Sequence, residues 1–234
     1  MIDFNVSIIK ELHEISSNSP FLNDLMLLIV DNNFIKGVIV VSLLWFFWFQ
    51  NDESLVSKRN KIISVLISCL MGICIGRLLA RVLPFSQRPV LNAGLTAFFP
   101  NEHVADGLDL NSSMPSDHAV MFFALATGIF LISKKVGLLT FIYVSCFVLF
   151  PRIYLGYHYA TDIIAGAIVG TLTTLFYFNI KISQDISKRV LKFSSNYPGL
   201  FYLLFFWLAF QIGTMFDSSR EIGHFLINVA RNLI

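Results

Sequence analysis

Residues 62–83 read IISVLISCLMGICIGRLLARVL, and the only charges in that stretch are Arg77 and Arg81. A helix needs about 20 mostly apolar residues to cross a bilayer core of roughly 30 Å, so this segment is long enough to span one. The rest of the chain has the same character. Of its 234 residues, 56% are apolar, 15% aromatic and only 14% charged, with a mean hydropathy of +0.70. An average soluble domain carries about 25% charged residues. The balance excludes a soluble enzyme, a disordered tail and a nucleic-acid binder, and a net charge of +2 implies no polybasic surface.

The same reading places spans at about 33–49, 62–83, 117–132, 136–150, 160–180 and 199–216. The expected architecture is an all-α integral membrane protein: a six-transmembrane helix bundle with short interfacial helices. One domain would fill residues 1–234, with interfacial helices over 1–31, a core over 33–180 and an extra span and tail over 199–234. Ile2, Val6, Ile9 and Leu12 give one apolar helical face too short to span. Ser19-Pro20 signals a second helix start, and that helix can merge with the first span. The N-terminus, interrupted by Asp3, Lys10, Glu11 and Glu14, does not read as a cleavable signal peptide. Tail residues Asp217–Ile234 mix Arg220, Glu221 and Arg231 with apolar residues, as an interfacial helix would. Cys69, Cys74 and Cys146 sit inside apolar runs and read as packing residues.

Charge position sets the expected topology. Lys58, Arg59 and Lys61, then Lys134 and Lys135, then Lys181, Lys188, Arg189 and Lys192 lie in alternate loops, which the positive-inside rule assigns to the cytoplasm. The connection 84–116 and the turn 151–159 then face outward, and so do both termini.

The outward side collects the unusual residues in three blocks. Arg77, Arg81 and Arg88 fall near one helical face if Pro84 only kinks the helix. An arginine at mid-membrane costs about 2.5–3.5 kcal/mol on insertion scales. One alone can snorkel to headgroups; three aligned ask for an anion. Met114-Pro115-Ser116-Asp117-His118 precedes an apolar helix with Pro115 suited to the first helical position. Free amides and the Ser116 hydroxyl there favour phosphate, although an ordinary helix start with a solvated His118 is the simpler reading. In the third block, Arg152, His158 and Asp162, the last two are four apart. On a helix Asp162 could accept from one imidazole nitrogen and leave the other as a nucleophile. Gly156 supplies a break that turns Arg152 back toward the same centre. A structural polar cluster explains these residues equally well when they are taken alone.

Taken together, the order Arg81…Arg88-Pro89, Pro115-Ser116-Asp117-His118 and Arg152…His158…Asp162 resembles the membrane-bound type 2 phosphatidic acid phosphatase superfamily, which shares its core with vanadium haloperoxidases. The resemblance covers roughly residues 20–180. Its departures are Arg81 for the usual Lys, Asp117 for the usual Gly, and Pro151 for the usual Ser. Chain size and the Phe-Leu-Asn-Asp-Leu-Met layout near the N-terminus resemble the bacitracin-resistance type of undecaprenyl-pyrophosphate phosphatase.

The resemblance implies His158 as nucleophile, Asp162 as its orienter and His118 as general acid and base. Arg81, Arg88, Ser116 and Arg152 would hold phosphate, with Asp117 grouped among them by position. Arg77 lies outside the pattern, about 5.4 Å deeper than Arg81, and could touch a second phosphate or pair within the bundle. The implied protein is a bacterial inner-membrane hydrolase of a polyprenyl diphosphate, facing the periplasm or exterior and working through phosphohistidine. No cofactor and no metal is expected, since guanidiniums replace the cation. Glu102, His103, Asp106 and Asp109 read as a solvated acidic loop. Expected partners are the lipid phosphate and membrane lipids, not nucleic acid. Alternatives are a phosphatase for phosphatidylglycerol phosphate, phosphatidic acid or lipid A, a lipid-to-lipid phosphotransferase, or an anion transporter. A transporter calls for paired broken spans in two related halves, which the sequence does not show.

Overall fold

A computed structural model describes residues 2–99 and 112–232, and these are helical with no strand. Helix α1 (Ile2–Ser17) is followed by α2 (Pro20–Asp31), which starts as the sequence predicts, with Ser19 Oγ accepting from the Leu22 amide. A π turn (Phe34–Val38) leads into α3 (Ile39–Phe49). The long α4 (Leu55–Val82) ends at an extended Leu83. Then come α5 (Asp117–Ile132), α6 (Lys134–Tyr143), a second π segment (Val144–Leu149) and the short α7 (Phe150–Tyr154). The chain closes with α8 (Ala160–Asn179), α9 (Lys181–Asn196), α10 (Pro198–Gly213) and α11 (Asp217–Asn232).

Three helical segments are long and apolar enough to cross a membrane: Leu55–Val82, Lys134–Tyr154 and Ala160–Asn179. A fourth crossing is available if α2 and the Phe34–Phe49 segment count together. They do not merge into one rod as the sequence allowed, because the chain bends by 63° at the break, where Asn32 is extended and its side chain caps the next amides. This is the one bent pair of its kind among the described residues. Helices α5 and α10 are apolar but have 16 residues each, about 24 Å of helix, short of a full hydrocarbon core. The connection 181–198, expected as a loop, is instead the amphipathic α9. It buries Ser183 and Ser187 against the bundle and exposes Lys181, Lys188, Arg189 and Lys192. Cys69 is buried, whereas Cys74 and Cys146 lie on the outside of the bundle.

Helix α5 is the hub. Ala119, Val120, Met121, Phe122, Ala124, Leu125 and Ile129 are fully buried between α4, α6 and α8. Small residues permit that closeness. A Cβ on Gly170 of α8 would overlap the Val120 carbonyl oxygen, and one on Gly166 would meet the Ser116 oxygen at 2.6 Å. Backbones that approach this far gain van der Waals contact that a bilayer cannot supply by hydrophobic exclusion. A second, smaller apolar cluster of Met26, Ile29, Val30, Val90, Tyr154 and Leu155 joins α2 to α7 and the segment after α4. Tyr154 donates to Asn23 Oδ1 at 2.6 Å within it.

Gly170→Ala should lower thermal stability in detergent by about 1–3 kcal/mol through overpacking. Gly199→Ala, where a Cβ meets nothing within 4 Å, should leave the melting temperature nearly unchanged. Equal melting of both variants would overturn the close α5–α8 packing.

Candidate active site

The N-terminal ends of α5 and α8 are tied together: the Ser116 amide donates to the Asp162 carbonyl at 3.2 Å. Ser116 is extended and caps a helix that begins at Asp117, so Pro115 stands just ahead of the first helical turn rather than on it. Its hydroxyl is fully buried and has no partner among the described residues.

His158 lies before α8, in the turn that follows α7. Its four-residue spacing from Asp162 is therefore not helical, since Asp162 sits in the first turn of α8. Gly156 takes φ +73°, the left-handed conformation that glycine tolerates. The chain doubles back there, and the amides of Tyr157 and His158 both donate to the Arg152 carbonyl, at 2.9 and 3.2 Å. The predicted break at Gly156 thus brings Arg152 back beside His158.

His158 is 5% exposed. Its Nδ1 lies 2.9 Å from the Ser113 carbonyl oxygen, and its Nε2 lies 3.3 Å from Arg88 Nη1. A carbonyl can only accept and a guanidinium can only donate. Both neighbours therefore fix one tautomer: Nδ1 carries the proton and Nε2 presents the lone pair. The resemblance implies Asp162 as the orienter, but Asp162 Oδ2 stands 3.7 Å from Nδ1, an ion-pair distance rather than a hydrogen bond. That oxygen instead accepts from the Tyr159 amide at 2.8 Å and from the Ser113 hydroxyl. Asp162 holds the loop that holds the imidazole. Burial, together with the charges of Arg88 and Arg152, pushes the His158 pKa below 6.5, while Asp162 pulls it partly back. The ring is neutral at pH 7.

Arg88 does not continue the face of α4. The helix has ended at Val82, and Arg88 arrives from an extended segment anchored by the Val90 amide on the Gly156 carbonyl at 3.0 Å. Its Nη1 also donates to the Tyr157 carbonyl at 2.9 Å. Arg152 is 7% exposed, and its Nε has no partner among the described residues. His118 Nε2 is buried in the same unpartnered condition. Arg152 and His158 both lie close enough for their charges to act on His118. Buried polar atoms normally find partners. Here Ser116, Arg152 and His118 all keep unpaired polar atoms at one end of the bundle, and the two cationic side chains, Arg88 and Arg152, frame an imidazole lone pair. The arrangement suits a tetrahedral anion that accepts from several donors at once.

The remaining candidates divide. Asp117 does not face an anion; its Oδ2 pairs with Arg77 Nε at 3.3 Å. That contact gives a partner both to Asp117, which the resemblance groups with the phosphate-holding residues, and to Arg77. Arg81 is exposed one turn beyond, with no hydrogen bond or ion pair among the described residues. Glu102, His103, Asp106 and Asp109 lie outside the described residues. Ser113 was missed by the sequence reading. Its carbonyl and hydroxyl serve His158 and Asp162, yet a lone serine in a loop carries no spacing signal. Helix α1, expected in the interface, also touches the start of α8 and the segment before the site: Asn5 donates to Thr161 Oγ1 at 2.9 Å, and His13 Nδ1 is 3.0 Å from the Phe98 carbonyl.

Residues 84–184 match the PAP2 superfamily. The chain is 24% identical over 176 residues to the bacitracin transport permease protein BcrC of Bacillus licheniformis, covering 75% of this chain and 80% of that one. It is 25% identical over 174 residues to undecaprenyl-diphosphatase BcrC of Bacillus subtilis (strain 168), covering 74% and 82%. No solved structure matches it. Arg88, Ser116, His118, Arg152, His158 and Asp162 all lie within the stretch that matches the PAP2 superfamily.

Proposed function

We propose that the protein is an integral membrane lipid phosphatase whose substrate is a polyprenyl diphosphate, undecaprenyl diphosphate first, and that it works through a phosphohistidine at His158 without a metal. The observation that carries the reading is the fixed tautomer of His158, with its Nε2 lone pair directed at Arg88 among buried donors that lack partners. The two relatives carry different names, one a permease and one a diphosphatase. A nucleophile set beside an anion site favours the second, because transport alone needs no oriented lone pair.

The residues would act as follows. Phosphate oxygens draw Arg88 away from Nε2, since a charged acceptor binds a guanidinium more strongly than a neutral imidazole does. Arg88, Arg152, the Ser116 hydroxyl and Arg81 hold the nonbridging oxygens. Nε2 of His158 forms a bond to phosphorus as the bond to the leaving oxygen breaks, and His118 gives its proton to that oxygen. Water then attacks phosphorus, His118 takes the water's proton, and the nitrogen–phosphorus bond breaks to return neutral His158. The Ser113 carbonyl keeps the Nδ1 proton in place throughout, and Asp162 steadies the developing positive ring.

In this reading the short α5 and α10 also cross, giving six spans. The bundle sits in the bacterial inner membrane with the cationic α9 in the cytoplasm and the site facing the periplasm or exterior.

Purified protein in detergent with EDTA should release phosphate from undecaprenyl diphosphate faster than from phosphatidylglycerol phosphate or phosphatidic acid. His158→Ala should abolish that release, and His118→Ala should slow it by about 10²- to 10⁴-fold. Turnover surviving the His158 change would remove the nucleophile. The acid limb of kcat/KM should lie below pH 6.5, where His158 gains its proton. Asp162→Asn should move that limb further toward acid, because the carboxylate that favours the imidazolium is gone. A limb that moves upward would contradict the assignment.

A further inference from the structure

Three charged residues outside the matched stretch 84–184 meet beside the site. Lys36, in the π turn ahead of α3, has a side chain only 7% exposed, and its Nζ lies 3.4 Å from Asp217 Oδ2. Asp217 opens α11, and its other oxygen accepts from Arg220. Arg220 Nε is buried with no partner among the described residues. One carboxylate thus serves two cations. Asp31, at the end of α2, adds only a more distant negative charge.

The backbone works to hold this cluster. Met215 and Phe216 take φ of 56° and 60°, a left-handed conformation that is strained for a residue with a Cβ. The turn is fixed by a 2.8 Å bond from the Phe216 amide to the Gln211 carbonyl, and Met215 is buried. Gly37 lies so close to the Gly213 carbonyl that a Cβ there would overlap it. The α10–α11 turn is therefore pressed onto the π turn, and Asp217 is delivered to Lys36. Strain of this kind persists where the surrounding structure over-determines it, often at functional sites.

The π turn that carries Lys36 packs beside α7, the helix of Arg152: Ile35 lies against the apolar cluster that contains Tyr154 and Leu155. Both Lys36 and Arg220 act electrostatically on His118, and Lys36 and Arg152 act on each other. From the same Gly37–Gly213 contact an apolar groove of about 330 Å³ runs between α3 and α10, lined by Val38, Val41, Trp45, Phe206 and Phe210. A lipid tail leaving the cluster there meets a mainly apolar surface, with Ser42 among its lining residues.

We propose that Lys36 and Arg220 bind the inner phosphate of a diphosphate substrate, the phosphate that departs with the lipid. The inference rests on the phosphatase reading above and deepens it. With His158 attacking the terminal phosphorus, the bond that breaks is to the bridging oxygen, which takes the proton of His118. The leaving group is then a lipid monophosphate whose charge needs cations next to His118. A monophosphate ester releases an alcohol and has no such need. Arg77, the sequence-based candidate for a second phosphate, is matched one to one by Asp117, whereas Asp217 divides one negative charge between Lys36 and Arg220 and leaves a net positive charge there.

Farnesyl diphosphate and farnesyl monophosphate test this, since they share a tail and differ by one phosphate. Lys36→Met and Arg220→Gln should each lower kcat/KM on the diphosphate by about 10- to 100-fold, as expected for losing a charge-assisted contact, and leave the monophosphate nearly unchanged. Lys36→Arg should restore the diphosphate rate. Because Lys36→Met can fail to fold, Arg220→Gln at its more exposed position carries the same test. Methylenediphosphonate should raise the melting temperature of the wild type more than inorganic phosphate does, and Arg220→Gln should erase the difference. Equal losses on both substrates in folded Arg220→Gln, or selective loss in Arg77→Gln instead, would overturn this inference alone. A wild type that hydrolyses neither substrate would overturn the phosphatase reading with it.

Discussion

The close approach of α5 and α8 sets the position of everything at the functional end of the bundle. Gly166 and Gly170 let the α8 backbone lie against Ser116, Ala119 and Val120 with no side chain between. That contact leaves the Ser116 amide on the Asp162 carbonyl. Asp162 then holds the Tyr159 amide and the Ser113 hydroxyl, and Ser113 in turn holds His158. A larger residue on α8 would separate two helix starts whose residues must meet within hydrogen-bonding distance. Helix packing and site geometry are one problem here, and glycine is the common solution.

The electrostatics follow from that placement. A bilayer-embedded bundle pays heavily for buried charge, yet this one places Arg88, Arg152, Lys36 and Arg220 about two histidines. Among the described residues, Asp117 is committed to Arg77, Asp217 to Lys36 and Arg220, and Asp162 to the loop before α8. Buried polar atoms without a partner among the described residues, on Ser116, His118 and Arg152, are costly, and a phosphate group would satisfy several of them together. Burial first, and then the same positive surroundings, keep His158 neutral, which is the form a nucleophile would need. A single arrangement of charge thus favours the anion and prepares the group that would attack it.

Much of this was legible in the chain. Helices lie at the six apolar stretches, three or four of them long and apolar enough to cross a membrane, and Ser19-Pro20 marks the start of α2 as found. The left-handed Gly156 could be read because no other residue takes that conformation readily. The helical geometry assumed for Arg88, and for His158 with Asp162, was not found. Periodicity reports which residues share a face only while the helix continues, and α4 stops at Val82 while α8 begins at Ala160. Residues 181–198 looked like a charged loop because their polar face dominates the composition, although Ser183 and Ser187 are buried.

Composition and motif order therefore determined a helical membrane protein with a cationic, histidine-bearing end, because hydrophobic length and residue chemistry are properties of the chain itself. Only the folded structure decided which oxygen fixes the His158 tautomer, that Arg77 belongs to Asp117, and that Lys36 lies beside Asp217 and Arg220. Those are contacts between residues as far as 181 positions apart. They depend on directions and distances of a few ångströms, and these are set by how helices pack rather than by the order of residues along any one of them.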